Sequence, residues 1–249
     1  LMDAAFAVQL IREAQKVDHA KTFKVLGRLW PHTLAQILVA DLTLGPIVLP
    51  HITRYQAAQT LLRLTPIQVK QVTSNENLLS PDVIAEILLA LHWGGPKTLL
   101  AKLDPQVAQR ALLTMTQKQR TQSLQGAVPS NAAQILLVMN ERYVREATNE
   151  LTKGRCVTIF NTMDANSIKA IMSKLEASTA ASIVVSMGWT QRLFTLQSAH
   201  ARDAGRVLRE LSPPLLKASM NRLETPVNVS ILKAMLVTQA AAVIPKMKY

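Results

Sequence analysis

The chain has 249 residues, of which 49% are hydrophobic, so it is not a disordered tail and is long enough to bury a sizeable core. Glycine is scarce, at 8 residues, while Ala, Leu, Gln and Met are plentiful, and this composition favours helices over a sheet fold rich in tight turns. The formal net charge of +12 indicates an acidic partner, such as nucleic acid, an acidic protein surface or anionic lipid, unless it is merely a soluble basic surface.

Residues 1–78 are predicted to be helical but out of phase with the rest of the chain. The start of the chain, with Asp3 and Glu13, indicates an ordinary amphipathic helix rather than a signal peptide. Two short apolar blocks, Ala35–Leu42 and Ala57–Leu64, follow at a spacing unlike that of the later helices. The segment Thr73–Asn77 is predicted to be a loop. We therefore expect a divergent N-terminal cap, or a small separate bundle, over residues 1–78.

From residue 79 onward an apolar residue recurs every 12 positions. The series consists of Leu91, Leu103, Met115, Ala127, Met139, Leu151, Met163, Leu175, Met187, Ala199, Leu211, Leu223 and Met235. A second apolar series lies three residues before the first, and a third lies one residue earlier again. Spacings of three and four place these residues on one face of a helix, which excludes the alternation of a strand.

The residues between the apolar series predict where each helix begins. Side chains that cap helix N-termini follow many of the apolar anchors, and Pro81, Pro105 and Pro213 stand at the favoured first helical position. These cap-type residues are Ser80, Asp104, Thr116, Asn140, Thr152, Asp164 and Ser212. Each unit is therefore predicted to be a helix of about ten residues, stable only when it stacks on its neighbours.

Every second unit carries a small residue early in its helix, which indicates a larger period of 24 residues. These small residues are Ala108, Ala132, Cys156, Ala180 and Ala204, and the alternate units carry Arg120, Val144, Ile168, Arg192 and Leu216 there. The predicted fold is all-α, a solenoid or superhelix whose repeat over residues 79–249 is a helical hairpin of two 12-residue units.

Units such as Leu103–Met115 and Asn131–Met139 resemble the short-helix repeats of the cytosolic N-terminal domain of MgtE-type magnesium transporters. They are also similar to the superhelical domains of the flagellar switch protein FliG. The resemblance covers about residues 79–240 and implies the fold. It departs from the transporters in charge, since their domain looks acidic and this one is basic, and no magnesium ligand is carried over.

The sequence offers little support for catalysis or for a metal site. The histidines His19, His32, His51, His92 and His200 do not pair at helical spacing, and Cys156 falls at a core position of the repeat. Asp104 and Asp164 fall at cap positions, and no apolar run is long enough to span a bilayer. We therefore expect a non-enzymatic protein without metal, cofactor or membrane span.

A discontinuous basic stripe is predicted along equivalent helices. The stripe comprises Lys97, Lys102, Arg145, Lys169, Lys174, Lys217 and Arg222. A second basic group, formed by Arg202, Arg206 and Arg209, follows one helix face near the C-terminal end. These residues are candidates for binding phosphates or acidic protein segments, although the outer face of any helical repeat must also be polar. Trp93 and Trp189 are candidate turn-packing residues or interface anchors.

Three functions fit this pattern. The first is a structural scaffold or adaptor subunit of a larger intracellular assembly, which binds other protein subunits, with acidic surfaces, through its solenoid faces. The alternative is an RNA- or DNA-associated protein, for example in an organellar ribonucleoprotein. Aromatics make up only 4% of the chain and do not interleave with the stripe, which disfavours base stacking. A weaker alternative is the regulatory domain of a magnesium-transporter-like parent. The single cysteine and the basic charge suit a reducing compartment or an organelle such as the mitochondrion.

Overall fold

The computed structural model describes residues 4–17, 19–74, 79–91 and 95–235, together with residues 240 and 244. Within these residues every regular element is a helix and no strand occurs. The predicted all-α helical repeat is therefore confirmed. By contact, the chain divides into two compact units, residues 1–131 and 132–249.

The first unit begins with helices of unequal length and becomes regular toward its end. Short 3₁₀ turns at Leu42–Leu44 and Leu49–His51 flank its fourth helix. Its helices are α1 (Ala4–Val17), α2 (His19–Leu26), α3 (Pro31–Ala40), α4 (Gly45–Val48), α5 (Arg54–Arg63), α6 (Pro66–Thr73), α7 (Pro81–Leu89), α8 (Gly95–Leu100), α9 (Pro105–Thr114) and α10 (Gln117–Gly126).

The second unit is regular throughout its described length. Its helices are α11 (Pro129–Val138), which begins just before the boundary, α12 (Glu141–Glu150), α13 (Lys153–Phe160), α14 (Ala165–Lys174), α15 (Ala177–Ser186), α16 (Trp189–Ser198), α17 (Ala201–Glu210), α18 (Pro213–Met220) and α19 (Thr225–Ala234). Most of these helices have ten residues, as the 12-residue period predicts.

The two remaining residues of each 12-residue unit form the turn. In a typical unit the apolar anchor is the C-cap residue and the next residue is the N-cap, both in extended conformation, as in Leu175 and Glu176. The side chains of six predicted N-caps accept a hydrogen bond from an amide of the following helix, whereas Ser212 makes no such bond. The repeat is therefore set by a chain that turns in two residues and begins a new helix at once.

Helices pack against the helix two positions along the chain, which is the arrangement of stacked hairpins. In the first unit α1, α3, α5, α7 and α9 pack each against the next. In the second unit α13, α15, α17 and α19 form one layer, and α12, α14 and α16 form the other. The predicted small residues of the odd-numbered helices are all buried, which lets these backbones approach closely. The apolar anchors are buried too, except Ala199 and Met235, which are half-buried.

Among the described residues, no single helix is long and apolar enough to cross a membrane. Pro31–Ala40 and Leu42–His51 pass the length and composition test only as a pair, and they are bent by 120°. Leu34, Leu38 and Leu49 of this pair are buried in the first unit, so their apolar character is used by the core.

The predicted boundary after residue 78 falls inside the first unit, and α5 packs against α7 across it. Of the predicted loop Thr73–Asn77, Thr73 is the last residue of α6, and residues 75–77 lie outside the described residues. A separate N-terminal cap therefore stays a prediction.

Cys156 lies in the core, as its repeat position predicts. Only 2% of the residue is exposed, its Sγ lies 3.8 Å from the carbonyl oxygen of Thr148, and burial raises the pKa of the thiol to about 11. At pH 8 only about 0.1% would be the reactive thiolate. We expect alkylation by iodoacetamide to be at least about a hundredfold slower in the folded protein than in urea. Mass spectrometry over time measures both rates, and a folded rate within tenfold of the unfolded one would contradict a core role.

Candidate partner-binding surface

Lys102, a residue of the predicted stripe, is used inside the fold. It lies just after α8, and its Nζ donates to the carbonyl oxygens of Leu62 at 2.5 Å and Leu64 at 2.7 Å. These carbonyls end α5, where helical backbone acceptors have no intrahelical partner. The ammonium group caps them and compensates the negative end of the helix dipole. Desolvation by burial lowers the pKa of Lys102, in keeping with this partly dry position.

Lys174 repeats this arrangement in the second unit. It is the last residue of α14, and its Nζ donates to the carbonyl oxygens of Leu137 and Met139, both at 2.7 Å, at the end of α11. Burial lowers the pKa of this lysine as well. Both lysines are therefore engaged by the backbone, and neither ammonium group is a free cation of the surface.

Two arginines at buried repeat positions cap other helix ends. Arg192 of α16 donates through Nε to the carbonyl oxygen of Val184 at 3.1 Å, and through Nη2 to those of Val185 at 2.7 Å and Met187 at 3.2 Å. Only 6% of Arg192 is exposed. Arg120 of α10 donates at 3.4 Å to the C-cap carbonyl of α9. A helix end of the odd-numbered layer is thus satisfied by a cation from the helix that follows it.

Three further residues that were predicted to bind partners are paired with acids. Arg145 is paired with Glu141 on its own helix, lies 3.9 Å from Glu176, and donates through Nε to the carbonyl oxygen of Lys174 at 3.1 Å. In the second basic group, Arg206 lies 3.4 Å from a carboxylate oxygen of Asp203, and Arg209 lies 3.7 Å from Glu210. These pairs neutralise much of the charge that the sequence attributes to a binding surface.

The other predicted residues make no ion pair with any part of the chain that the structure describes. They are Lys97, Lys169, Arg202, Lys217 and Arg222. Lys97, Lys169, Arg202 and Arg222 are exposed, and Lys217 is half-buried. Of the predicted binding residues, these keep an ionic charge that no described acid neutralises.

Three even-numbered helices of the second unit form a surface without acids. Neither Asp nor Glu occurs within α14, α16 or α18. We call the solvent-accessible residues of these helices and of the turn after α18 the acid-free face. It includes Lys169, the half-buried Lys217, Arg222 in that turn, and the aromatic rings of Trp189 and Phe194. The N-cap aspartate that precedes α14, Asp164, accepts a hydrogen bond from the backbone amide of Ser167 at 2.7 Å and stays charged, and like Glu176 and Glu224 it lies in a turn at the end of the helices rather than within them.

At this face two guanidinium groups contact one indole ring. The guanidinium carbon of Arg192 lies 4.3 Å from the ring centroid of Trp189, and that of Arg222 lies 4.1 Å from it. Burial, and then the charge of Arg222, lower the pKa of Arg192. With 37% of Trp189 exposed, the indole and Arg222 together form an accessible surface that is both aromatic and cationic.

The first unit carries a separate basic groove that none of the predicted binding residues reaches. Its volume is about 620 Å³, and Lys24 and Arg28 line it beside the stacked rings of Phe23 and His51, whose centroids are 4.0 Å apart. No sequence signal indicates this groove, because its lining comes from α2 and the turn before α5, which lie outside the regular repeat.

No group of three or more His, Cys, Asp or Glu side chains that could hold a metal ion occurs among the described residues. The fold and this surface together define an α-helical repeat protein with one acid-free face. No family model, curated protein or solved structure matches the chain. The resemblance to the MgtE and FliG repeats therefore stays a prediction.

Proposed function

We propose that the protein is a non-enzymatic scaffold or adaptor subunit of a larger intracellular assembly, and that it holds acidic protein partners on the acid-free face. The observation that carries this proposal is the composition of that face. The helices α14, α16 and α18 contain no carboxylate, and together with the turn after α18 they present unpaired cations beside exposed aromatic rings. Aromatic residues and arginine are the types enriched where protein interfaces concentrate their binding energy, and complementary charge fixes the partner's orientation.

The same surface suits nucleic acid less well. Affinity for a phosphate backbone grows with the number of phosphates that Lys and Arg neutralise. Of the seven predicted stripe residues, Lys102 and Lys174 cap helices and Arg145 is paired with glutamates. Lys169, Lys217 and Arg222 are the stripe residues left on the face, which are few contacts for a nucleic acid. A mitochondrial location stays a prediction from the basic charge.

The test is capture of partners from the native source by the immobilised chain, compared with a charge-reversed variant. The variant carries Lys169→Glu, Lys217→Glu and Arg222→Glu on the acid-free face. A matched control carries Arg63→Glu, Lys70→Glu and Lys118→Glu, three exposed cations of the first unit. We expect the wild type and the control to retain the same acidic proteins, and the face variant to lose them.

Two results would reject the scaffold proposal. One is that neither the wild type nor the control retains any protein. The other is that the retained material is released by nuclease and falls steeply with salt, which would favour the RNA- or DNA-associated alternative.

A further inference from the structure

Arg222 occupies the same repeat position as the two capping lysines. Position 174 lies three 24-residue repeats after 102, and position 222 lies two repeats after 174. Lys174 donates to carbonyls 37 and 35 residues earlier (174 − 137 and 174 − 139). The same offsets from 222 lead to Val185 and Met187, at the end of α15.

Those two carbonyls already have a donor. Arg192 binds both of them, as well as the carbonyl of Val184, so the end of α15 is satisfied from within its own hairpin. Arg222 therefore occupies a capping position whose carbonyl acceptors are already bound by Arg192. Its guanidinium lies instead over the half-exposed ring of Trp189, and no described acid pairs with it.

No hydrogen bond among the described residues uses the guanidinium N–H groups of Arg222, which leaves donors along the edge of that planar group unused. That edge matches the two oxygens of a carboxylate in a bidentate pair. The donors of the neighbouring Arg192 are directed to backbone carbonyls, so the site offers one guanidinium edge rather than two. One such edge can pair with a carboxylate or with a phosphodiester, but nucleic-acid affinity needs many phosphate contacts, and of the predicted stripe residues only Lys169 and Lys217 accompany Arg222 on this face.

We propose that Arg222, which lies over the ring of Trp189, is the anchor of the acid-free face and binds a single Asp or Glu carboxylate of an acidic protein segment. This inference rests on the proposed scaffold function and names the contact that would give it specificity. The indole holds the guanidinium in one orientation, which reduces the entropy lost when the carboxylate binds.

The test uses a fluorescently labelled oligoglutamate peptide and fluorescence anisotropy with the full chain at low salt. We expect saturable binding that Arg222→Gln weakens by about tenfold to a hundredfold, since a charge-assisted bidentate pair is lost. Arg222→Lys keeps the charge but removes the fork, and we expect most of the same loss. The control Lys169→Gln removes an unpaired cation from the same face and should change the affinity by no more than about twofold.

Four results would contradict the anchor role of Arg222. It is wrong if the wild type shows no saturable binding, if Arg222→Gln binds like the wild type, or if Lys169→Gln loses as much affinity as Arg222→Gln. It is also wrong if an oligouridylate RNA binds more tightly than the peptide with the same dependence on Arg222. A wild type that still captures partners, undiminished by Arg222→Gln, would leave the scaffold function standing and reject the anchor alone.

Discussion

Replacing Arg192 with methionine is expected to lower the free energy of unfolding of the second unit by about 2–4 kcal/mol. Methionine keeps most of the aliphatic packing volume but removes the guanidinium donors that satisfy three carbonyls at the end of α15. The bonds to Val184 and Met187 are buried, so no solvent replaces the lost donor. The carbonyl of Val184 keeps the amide of Met187 at 3.2 Å, whereas the carbonyl of Met187 loses its described donor. Leaving buried acceptors without a partner costs more than an ordinary hydrogen bond contributes.

The measurement is urea unfolding, combined with hydrogen exchange because stacked repeats can open locally. Exchange should increase most in the last turn of α15 and in α16, where the lost donor sits. Lys169→Met is the matched control, because it replaces an exposed lysine of the same unit that has no described ion pair. We expect its effect to stay within about 0.5 kcal/mol. Equal stability losses in the two variants would show that Arg192 does not cap α15.

The shared repeat position of Lys174 and Arg222 predicts that Arg192 and Arg222 are coupled in stability, which a single substitution would not reveal. Once Arg192 is removed, we expect the guanidinium of Arg222 to donate to the carbonyls of Val185 and Met187, at the same offsets over which Lys174 donates to the end of α11. Arg222→Gln should therefore be nearly neutral alone but cost about 1–2 kcal/mol in the Arg192→Met background. Additive effects of the two substitutions would contradict the assignment of Arg222 to a capping position.

Much of the fold could be predicted from the sequence because the local signals agreed with one another. Apolar anchors at a 12-residue spacing, cap-type residues after them and proline at the first helical position all predict short helices joined by two-residue turns. The first unit was less predictable, because α4 has four residues between two 3₁₀ turns and follows no period. A single short apolar run does not distinguish such turns from a helix.

The candidate surface was only partly predictable. A lysine at the end of a helix looks exposed in the sequence, and the carbonyls that bind Lys174 lie 37 and 35 residues earlier (174 − 137 and 174 − 139), a distance set by stacking. For Lys102 the offsets are 40 and 38 (102 − 62 and 102 − 64), because the chain between α5 and α7 has three extra residues. One signal was available in the repeat itself. Arg120 and Arg192 share a position with buried aliphatic residues, and a charge at such a position indicates a buried partner.

Among the glycines of the first unit that the structure describes, Gly45 is expected to tolerate substitution least. It begins α4 with φ near −55°, a conformation that any residue can adopt. Backbone conformation therefore does not explain why this residue is glycine. The explanation is space, because a Cβ at this position would lie 2.4 Å from Cγ1 and 2.9 Å from Cγ2 of Val72. Val72 is fully buried and β-branched, and in a helix such a side chain strongly prefers one χ1 rotamer, so moving it away from the new Cβ costs energy. We expect Gly45→Ala to lower the free energy of unfolding by about 1–3 kcal/mol.

Two companion variants separate this close approach from a general effect of alanine. Gly154 lies in the first turn of α13, and no atom lies within 4 Å of the position that a Cβ would occupy there, so Gly154→Ala should be neutral or stabilise by about 0.4–1 kcal/mol. Val72→Ala removes the two methyl groups that meet the new Cβ. The double variant Gly45→Ala/Val72→Ala should therefore be more stable than the sum of the two single effects by about 1 kcal/mol. Chemical denaturation of the wild type, the single variants Gly45→Ala and Val72→Ala, and the double variant measures this cycle. Strict additivity would mean that α4 and α6 are not in direct contact at Gly45, and that the glycine is there for another reason.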